Sequence, residues 1–244
     1  MSDLAELKRD WEELAAMDAL WAIHSRPDKK FSKWSIEEFL GTGLVEVERI
    51  LGDSQRLGRP RTRDTALDFG CGVGRLSGHL ATHFAHVEAI DISEQMVKIG
   101  RALHHKVPNL TFRVNSDPDL RCFAAESFDM VCSIIVLQHL PGVTAIQRYL
   151  VEFIRVLRPG GLLVFQLPTT LPRVRLLLAR RTPYLVLRRA GLPPTFLYNQ
   201  LGLHPMRMTA LATNRVTDFI HQSGGTLLDV VRLDKRDNLY YATR

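Results

Sequence analysis

Three cysteines in 244 residues, Cys71, Cys122 and Cys132, are too few and too scattered for a disulfide framework, and they show neither CxxC nor zinc-ligand spacing. They read as free thiols of a reducing compartment. Long apolar runs are also missing. The longest, Met130 to Leu137, covers eight residues and includes a serine, against about 20 for a bilayer crossing. The start, Met1-Ser2-Asp3-Leu4-Ala5-Glu6, lacks the basic-then-apolar pattern of a secretory signal, so a cytoplasmic location is expected. Acidic residues are absent from one whole stretch. Pro168 to Met208 has none and carries seven arginines: Arg173, Arg175, Arg180, Arg181, Arg188, Arg189 and Arg207. Without them the chain has 25 basic against 26 acidic residues, so this segment holds the entire +6 excess.

What is present is ordinary globular composition, 45% hydrophobic and 24% charged, at a length that suits one α/β core with attachments. Leu4, Leu7, Trp11, Leu14, Met17, Leu20 and Trp21 recur at helical spacing and predict an amphipathic helix ending near Pro27. Ser35 with Glu38 forms a capping box that opens a second helix, and a third is expected over 43–51. Residues 52–64, rich in Gly, Arg and Pro, predict a linker. Strands are then expected at 65–69, 87–91, 110–114, 128–134 and 162–167, with helices at 75–83, 93–105 and 144–157 between them. That alternation implies right-handed crossovers and a parallel sheet. After the arginine-rich segment come a helix over 209–222 and two strands joined at Asp234-Lys235-Arg236-Asp237, read as a hairpin that closes the sheet with an antiparallel strand. The chain thus divides into a helical cap and linker (1–63) and a ligand-binding domain (64–244) with an insert at 168–208.

The turn Leu67-Asp68-Phe69-Gly70-Cys71-Gly72-Val73-Gly74 joins the first strand to the first helix. Its glycines allow positive φ and close approach of a ligand to the backbone. The dinucleotide fingerprint GxGxxG fails, because the third position is Arg75 counted from Gly70 and Ser77 counted from Gly72. Asp68 also disfavours a pyrophosphate and suits a ligand with an ammonium group. Asp91 ends the second strand, where a carboxylate can accept both hydroxyls of a ribose; its other reading is a helix cap, a task Ser93 can take instead. Met96 either lies on an adenine face or is core.

These residues resemble the class I S-adenosylmethionine-dependent methyltransferases. The resemblance rests on four blocks in the family's order, at 66–75, 87–93, 127–140 and 155–161, the last reading Arg155-Val156-Leu157-Arg158-Pro159-Gly160-Gly161. It implies a Rossmann-like, mostly parallel seven-stranded sheet with S-adenosyl-L-methionine as cofactor. Gly70, Cys71, Gly72, Gly74 and Arg75 would surround its methionine part, with Asp68 near the amino group. Asp91 would hold the ribose, Ile92 and Met96 would flank adenine, and Ser133 and Ile134 would lie beside the sulfonium. The family's adenine-amine Asp falls here at Asn115-Ser116, with Asp117 one residue further on, so Asn115, Ser116 and Asp117 share that assignment.

Methyl transfer to a hydroxyl needs a base. His139, just after the fourth strand, is the candidate, its other reading being a hydrogen bond to the neighbouring loop. The fourth strand ends Ser133-Ile134-Ile135-Val136, without the Asn/Asp-Pro-Pro-aromatic run used on exocyclic amines, which argues against nucleic acid. No histidine–carboxylate spacing suggests a metal. The insert alternates arginines with apolar pieces (Leu176-Leu177-Leu178, Tyr184-Leu185-Val186-Leu187, Phe196-Leu197-Tyr198). It reads as a helical lid with snorkelling arginines, as a mouth for an anionic acceptor or surface touching anionic lipid, or as an RNA groove. The N-terminal helix is expected across the cleft, His204 within reach of it, and Phe31 and Trp34 either over the cofactor or in the core. The function expected is O-methylation of a small-molecule or glycan-type acceptor, possible members of which include anionic and lipid-linked ones met without a membrane span. N-methylation of a small amine and a non-catalytic partner subunit are the alternatives.

Overall fold

The structure, a computed structural model, describes residues 3–171 and 176–244, and no side chain between 172 and 179. Arg173, Arg175 and the side chains of Leu176, Leu177 and Leu178 lie outside the described residues. The elements are α1 (Asp3–Ile23), α2 (Ile36–Leu57), β1 (Thr65–Phe69), α3 (Ser77–Leu80), β2 (His86–Asp91), α4 (Glu94–Leu103), β3 (Leu110–Val114) and β4 (Phe128–Ser133), then α5 (Val143–Val156), β5 (Leu157–Pro168), α6 (Leu176–Arg189), α7 (Pro194–Leu201), α8 (Thr213–Gln222), β6 (Thr226–Arg232) and β7 (Asp237–Thr243).

Seven strands form one sheet in the order β3-β2-β1-β4-β5-β7-β6. The first five neighbours run parallel, and β7 lies antiparallel between β5 and β6. This is the Rossmann-like sheet expected from the blocks, closed by a C-terminal hairpin. β4 is buried along its whole length, as a central parallel strand covered on both faces must be. One face packs on α5 and α8 through Leu150, Phe153, Val216 and Ile220. The other packs on α2 and α3 through Val47, Ile50 and Leu80.

Three local expectations are corrected. The second and third predicted helices are a single one, α2, which runs on through the expected linker to Leu57 and stops at Gly58 in the left-handed region. Its interior glycines cost about 1 kcal/mol each against alanine, but the apolar stripe of Val47, Ile50 and Leu51 is buried on the sheet. Gly43 has its own reason: a Cβ there would lie 1.9 Å from the Arg75 carbonyl oxygen, so helix and turn meet backbone to backbone. Next, the helix expected over 75–83 shrinks to the single turn α3, because the residues before it are still turning. Finally, α8 starts at Thr213 and not at Thr209. The preceding residues run extended past the β4–α5 connection, where the Thr209 N–H donates to the Gln138 carbonyl at 2.6 Å, to the end of β5, where Leu211 N–H donates to the Pro168 carbonyl at 2.9 Å.

Candidate active site

The strand order reverses direction at β1 and β4, and their C-terminal ends open a crevice of the kind that receives ligands in α/β sheets. A cleft occupies it, and α1 covers it with Leu4, Leu7, Trp11 and Ile23. Among the residues singled out in the sequence, Gly70, Gly72, Asp91, Ile92, Met96, Asn115, Ile134 and His139 line this one cleft.

The glycine turn is built so that its amide groups face inward. Gly70 and Cys71 N–H both donate to the Ile90 carbonyl, at 2.8 and 3.0 Å, and Gly74 N–H donates to the Cys71 carbonyl at 2.9 Å. Gly72 N–H donates to Asp91 Oδ2 at 2.9 Å. A phosphate-binding turn offers free N–H groups at the mouth of a helix; here those donors are consumed, and the helix that follows is one turn long. The φ values at Gly70 and Gly72 are +72° and +55°, and a Cβ would collide with Val136 at the first and with Ile23 at the second. Gly70 therefore needs glycine for the backbone and for the space against the β-branched Val136, and Gly72 for the backbone, since the Ile23 tip can turn aside.

Asp91 is fixed by two backbone donors, Gly72 on one oxygen and Ser93 N–H on the other at 2.9 Å. Ser93 is the N-cap of α4, its hydroxyl accepting from Met96 N–H. The capping task is thus taken, and each Asp91 oxygen keeps a lone pair for a ligand hydroxyl. Burial pushes Asp91 up to about 6, against the pull of those N–H groups.

Other candidates stand behind the cleft wall. Asp68 is buried, accepts from the Ser77 hydroxyl at 2.6 Å, and is raised to about 6 by burial. Arg75 is buried close enough to Asp68 and Glu46 to feel their charge. The Cys71 side chain packs with Ala89, Val97 and Phe112, and Gly74 lies against Phe112 and His104. Ser133 is fully buried, with no hydrogen-bond partner for its hydroxyl among the described residues. After β3, Asn115 reaches the cleft, while Ser116 lines the adjoining groove and the exposed Asp117 donates its N–H to Asn115 Oδ1. Phe31 is exposed against Tyr198, Trp34 packs on Phe39, and His204 lies edge-on to Trp21; none of the three lines the cleft.

His139 is buried at the far end of the cleft, edge-on to Trp11 with ring centroids 5.4 Å apart. Its Nδ1 lies 2.6 Å from the Arg207 carbonyl oxygen. A carbonyl only accepts, so Nδ1 carries the proton and Nε2 keeps its lone pair. Burial, outweighing that hydrogen bond, lowers His139 to about 4, so the ring is neutral at pH 7. Between β4 and His139, Ile135 adopts φ +62°. A β-branched residue in the left-handed region is strained, and such strain gathers at functional sites.

Phe69, Ile90, Ile135, Val136, Leu140 and Tyr149 complete the lining; none was assigned a site role from the sequence, because an apolar side chain at these positions reads equally as core. The arginine-rich insert differs from all its sequence readings in one respect. Arg181 pairs with Glu6 and Asp10 at 2.6 and 2.7 Å, Arg207 with Glu6 at 2.9 Å, and Arg188 with Glu13 at 2.7 Å. Three of its arginines thus bind α1.

Residues 67–165 match the sequence family described as a methyltransferase domain. Over 97 residues the chain is 41% identical to ubiquinone biosynthesis O-methyltransferase of Xanthomonas oryzae pv. oryzae (strain PXO99A), and the match covers 39% of this chain and 39% of that relative's own length. Its fold is similar to magnesium protoporphyrin IX methyltransferase from Synechocystis PCC 6803, solved with bound SAH (TM-score 0.63, 19% identity, 100% of each chain). It is also similar to a SAM dependent methyltransferase from Aquifex aeolicus (TM-score 0.54, 19% identity, 80% of this chain and 87% of that one). With the four sequence blocks on this sheet and around this cleft, residues 67–165 are a methyltransferase domain, carried on the fold of the class I S-adenosylmethionine-dependent methyltransferases.

Proposed function

We propose that this protein methylates a hydroxyl group of a small-molecule acceptor, with His139 as the base. The observation that carries the reading is the inward-facing turn. Its amides are spent on Ile90 and Asp91, which leaves carbonyl oxygens and a ribose-competent carboxylate along the cleft and suits an adenosine-linked cation better than a pyrophosphate. The same residues fit S-adenosylmethionine, which supplies an electrophilic methyl group on sulfur. Asp91 would hold the ribose hydroxyls, Ile92, Met96 and Asn115 would enclose the base, and the Gly70 and Gly72 carbonyls would meet the ammonium. α1 excludes water from above. The Nε2 lone pair of His139 would take the acceptor's hydroxyl proton as that oxygen attacks. The name of the curated relatives, an O-methyltransferase, supports oxygen as the acceptor atom.

The acceptor we infer carries an anionic group. Arg180 and Arg189 are exposed and pair with no carboxylate among the described residues. Lys30 is lowered by burial and by the nearby Arg180, against the pull of Asp18, and a further anion there would favour both cations. No described helix is long and apolar enough to cross a membrane, so a lipid-linked acceptor would be met at the surface. Calorimetry tests the cofactor: S-adenosylhomocysteine should bind at micromolar level and NADH should not. Failure of the first in folded protein overturns the reading. Transfer of labelled methyl to small molecules from a lysate tests the acceptor, and Arg180→Glu with Arg189→Glu should raise KM for an anionic one.

A further inference from the structure

The proton on His139 is placed from outside the cleft. Its Nδ1 partner, the Arg207 carbonyl, belongs to the extended segment between α7 and α8, and that segment is held at three points. Arg181 donates to the Pro205 carbonyl. Thr209 donates its N–H to the Gln138 carbonyl at 2.6 Å and its hydroxyl to the Leu140 carbonyl at 3.2 Å, on either side of His139. Between these, the Arg207 side chain reaches across to α1, where it meets Glu6 at 2.9 Å and Asp10 at 3.5 Å. Asp10 is 3% exposed and is shared with Arg181, so two carboxylates and two guanidinium groups close one compact cluster.

We propose that this Glu6–Asp10–Arg181–Arg207 cluster is a positioning device for His139, holding the Arg207 carbonyl where it fixes the proton on Nδ1 and leaves Nε2 open to the cleft. The inference rests on the base role given to His139 above. Imidazole has two neutral tautomers of similar energy, and which one exists is decided by the hydrogen bond its other nitrogen makes. A base needs the lone pair on the side of the acceptor. A carbonyl on an unanchored loop would hold the tautomer only part of the time; one clamped by an ion cluster built on the buried Asp10 holds it continuously. The clamp also shares an element with the cofactor. Glu12 of the same α1 accepts from Ser93 Oγ at 3.0 Å and from Glu94 N–H at 2.6 Å, at the start of α4 beside Asp91. Trp11 lies between these two grips, against the His139 ring. The helix that closes the cleft therefore also sets the orientation of the base.

The test reads the ring nitrogens of the full-length protein and needs no acceptor. Protein labelled with 15N at histidine, with and without S-adenosylhomocysteine, should show His139 with a protonated Nδ1 and an unprotonated Nε2. Arg207→Ala keeps the backbone carbonyl but removes the anchor nearest to it, and should replace that single tautomer with a mixture. Arg207→Lys, which can still pair with Glu6 and Asp10, should restore it, a rescue that a loss of mere packing would not show. A wild-type proton on Nε2 overturns the proposal, as does an Arg207→Ala spectrum identical to wild type. Should Arg207→Ala not fold, Glu6→Gln removes one charge from the cluster at its more exposed side, and an unchanged tautomer there overturns it equally. Turnover of His139→Ala is a separate measurement, so the base role and the positioning device can fall independently.

Discussion

Two carboxylates of this molecule, Asp91 and Asp10, find their partners in opposite ways. In the turn around β1 and β2, Asp91 has backbone N–H groups as its partners and touches no cation. In the clasp between α1 and the insert, Asp10 is gripped by two guanidinium groups. A carboxylate satisfied by amides keeps lone pairs to spare and waits for a ligand. One satisfied by fixed charges on both sides is already spent on structure. Burial and an acidic side chain alone do not mark a binding site; the identity of the partner does.

That contrast can be broken most strongly on the clasp side. Arg181→Ala leaves Asp10 and Glu6 with half their cations, and losing one member of a buried pair costs about 3 kcal/mol. Thermal or denaturant unfolding should show it, and an unchanged midpoint would mean that α1 is held by its apolar face alone. In the cleft, His139→Ala should lower turnover on a hydroxyl acceptor by about a hundredfold with cofactor affinity nearly unchanged; an intact rate removes His139 from the base role. Asp91→Ala should weaken S-adenosylhomocysteine binding by at least about tenfold, the value of a single hydrogen bond to a charged group at the low end of its range. Acid should mimic it. Asp91 sits near 6, so it loses its charge as pH falls through that value, and affinity should drop over the same range in wild type but not in Asp91→Asn. The linked stability has the opposite sign. A carboxylate whose pKa is raised on folding disfavours the folded state above its unfolded value, so this group contributes less stability at pH 7 than at pH 4. The smallest effect belongs to the exposed pair Lys8–Glu94. Lys8→Ala should change stability by no more than about 1 kcal/mol, and a larger loss would show that α1 depends on its rim.

Much of the turn was legible in the sequence, and almost none of the clasp. Gly70, Gly72 and Asp91 lie on consecutive strand–turn segments, so their relation is carried by local spacing, strand ends and glycine chemistry. Arg181 and Asp10 are 171 residues apart and Arg207 and Asp10 are 197 apart, and no local pattern encodes such a meeting. The acid-free stretch was visible as an excess of charge, but its partners were not, because the acids of α1 read as the solvent face of an amphipathic helix. His139 was found from its place after a strand, whereas the carbonyl that orients it could only be seen folded. The long α2 was missed for another reason: three glycines and a capping signal suggested breaks, and burial on the sheet outweighed them.

Ile135 carries a consequence for any attempt to harden this protein. Its left-handed backbone stores on the order of 1–2 kcal/mol, held there by the fully buried strand before it and Leu137 after it. Glycine at this position would relieve the strain, while also loosening the link between the strand end and the turn that bears His139. Selection for heat tolerance and selection for turnover should thus pull this residue in different directions.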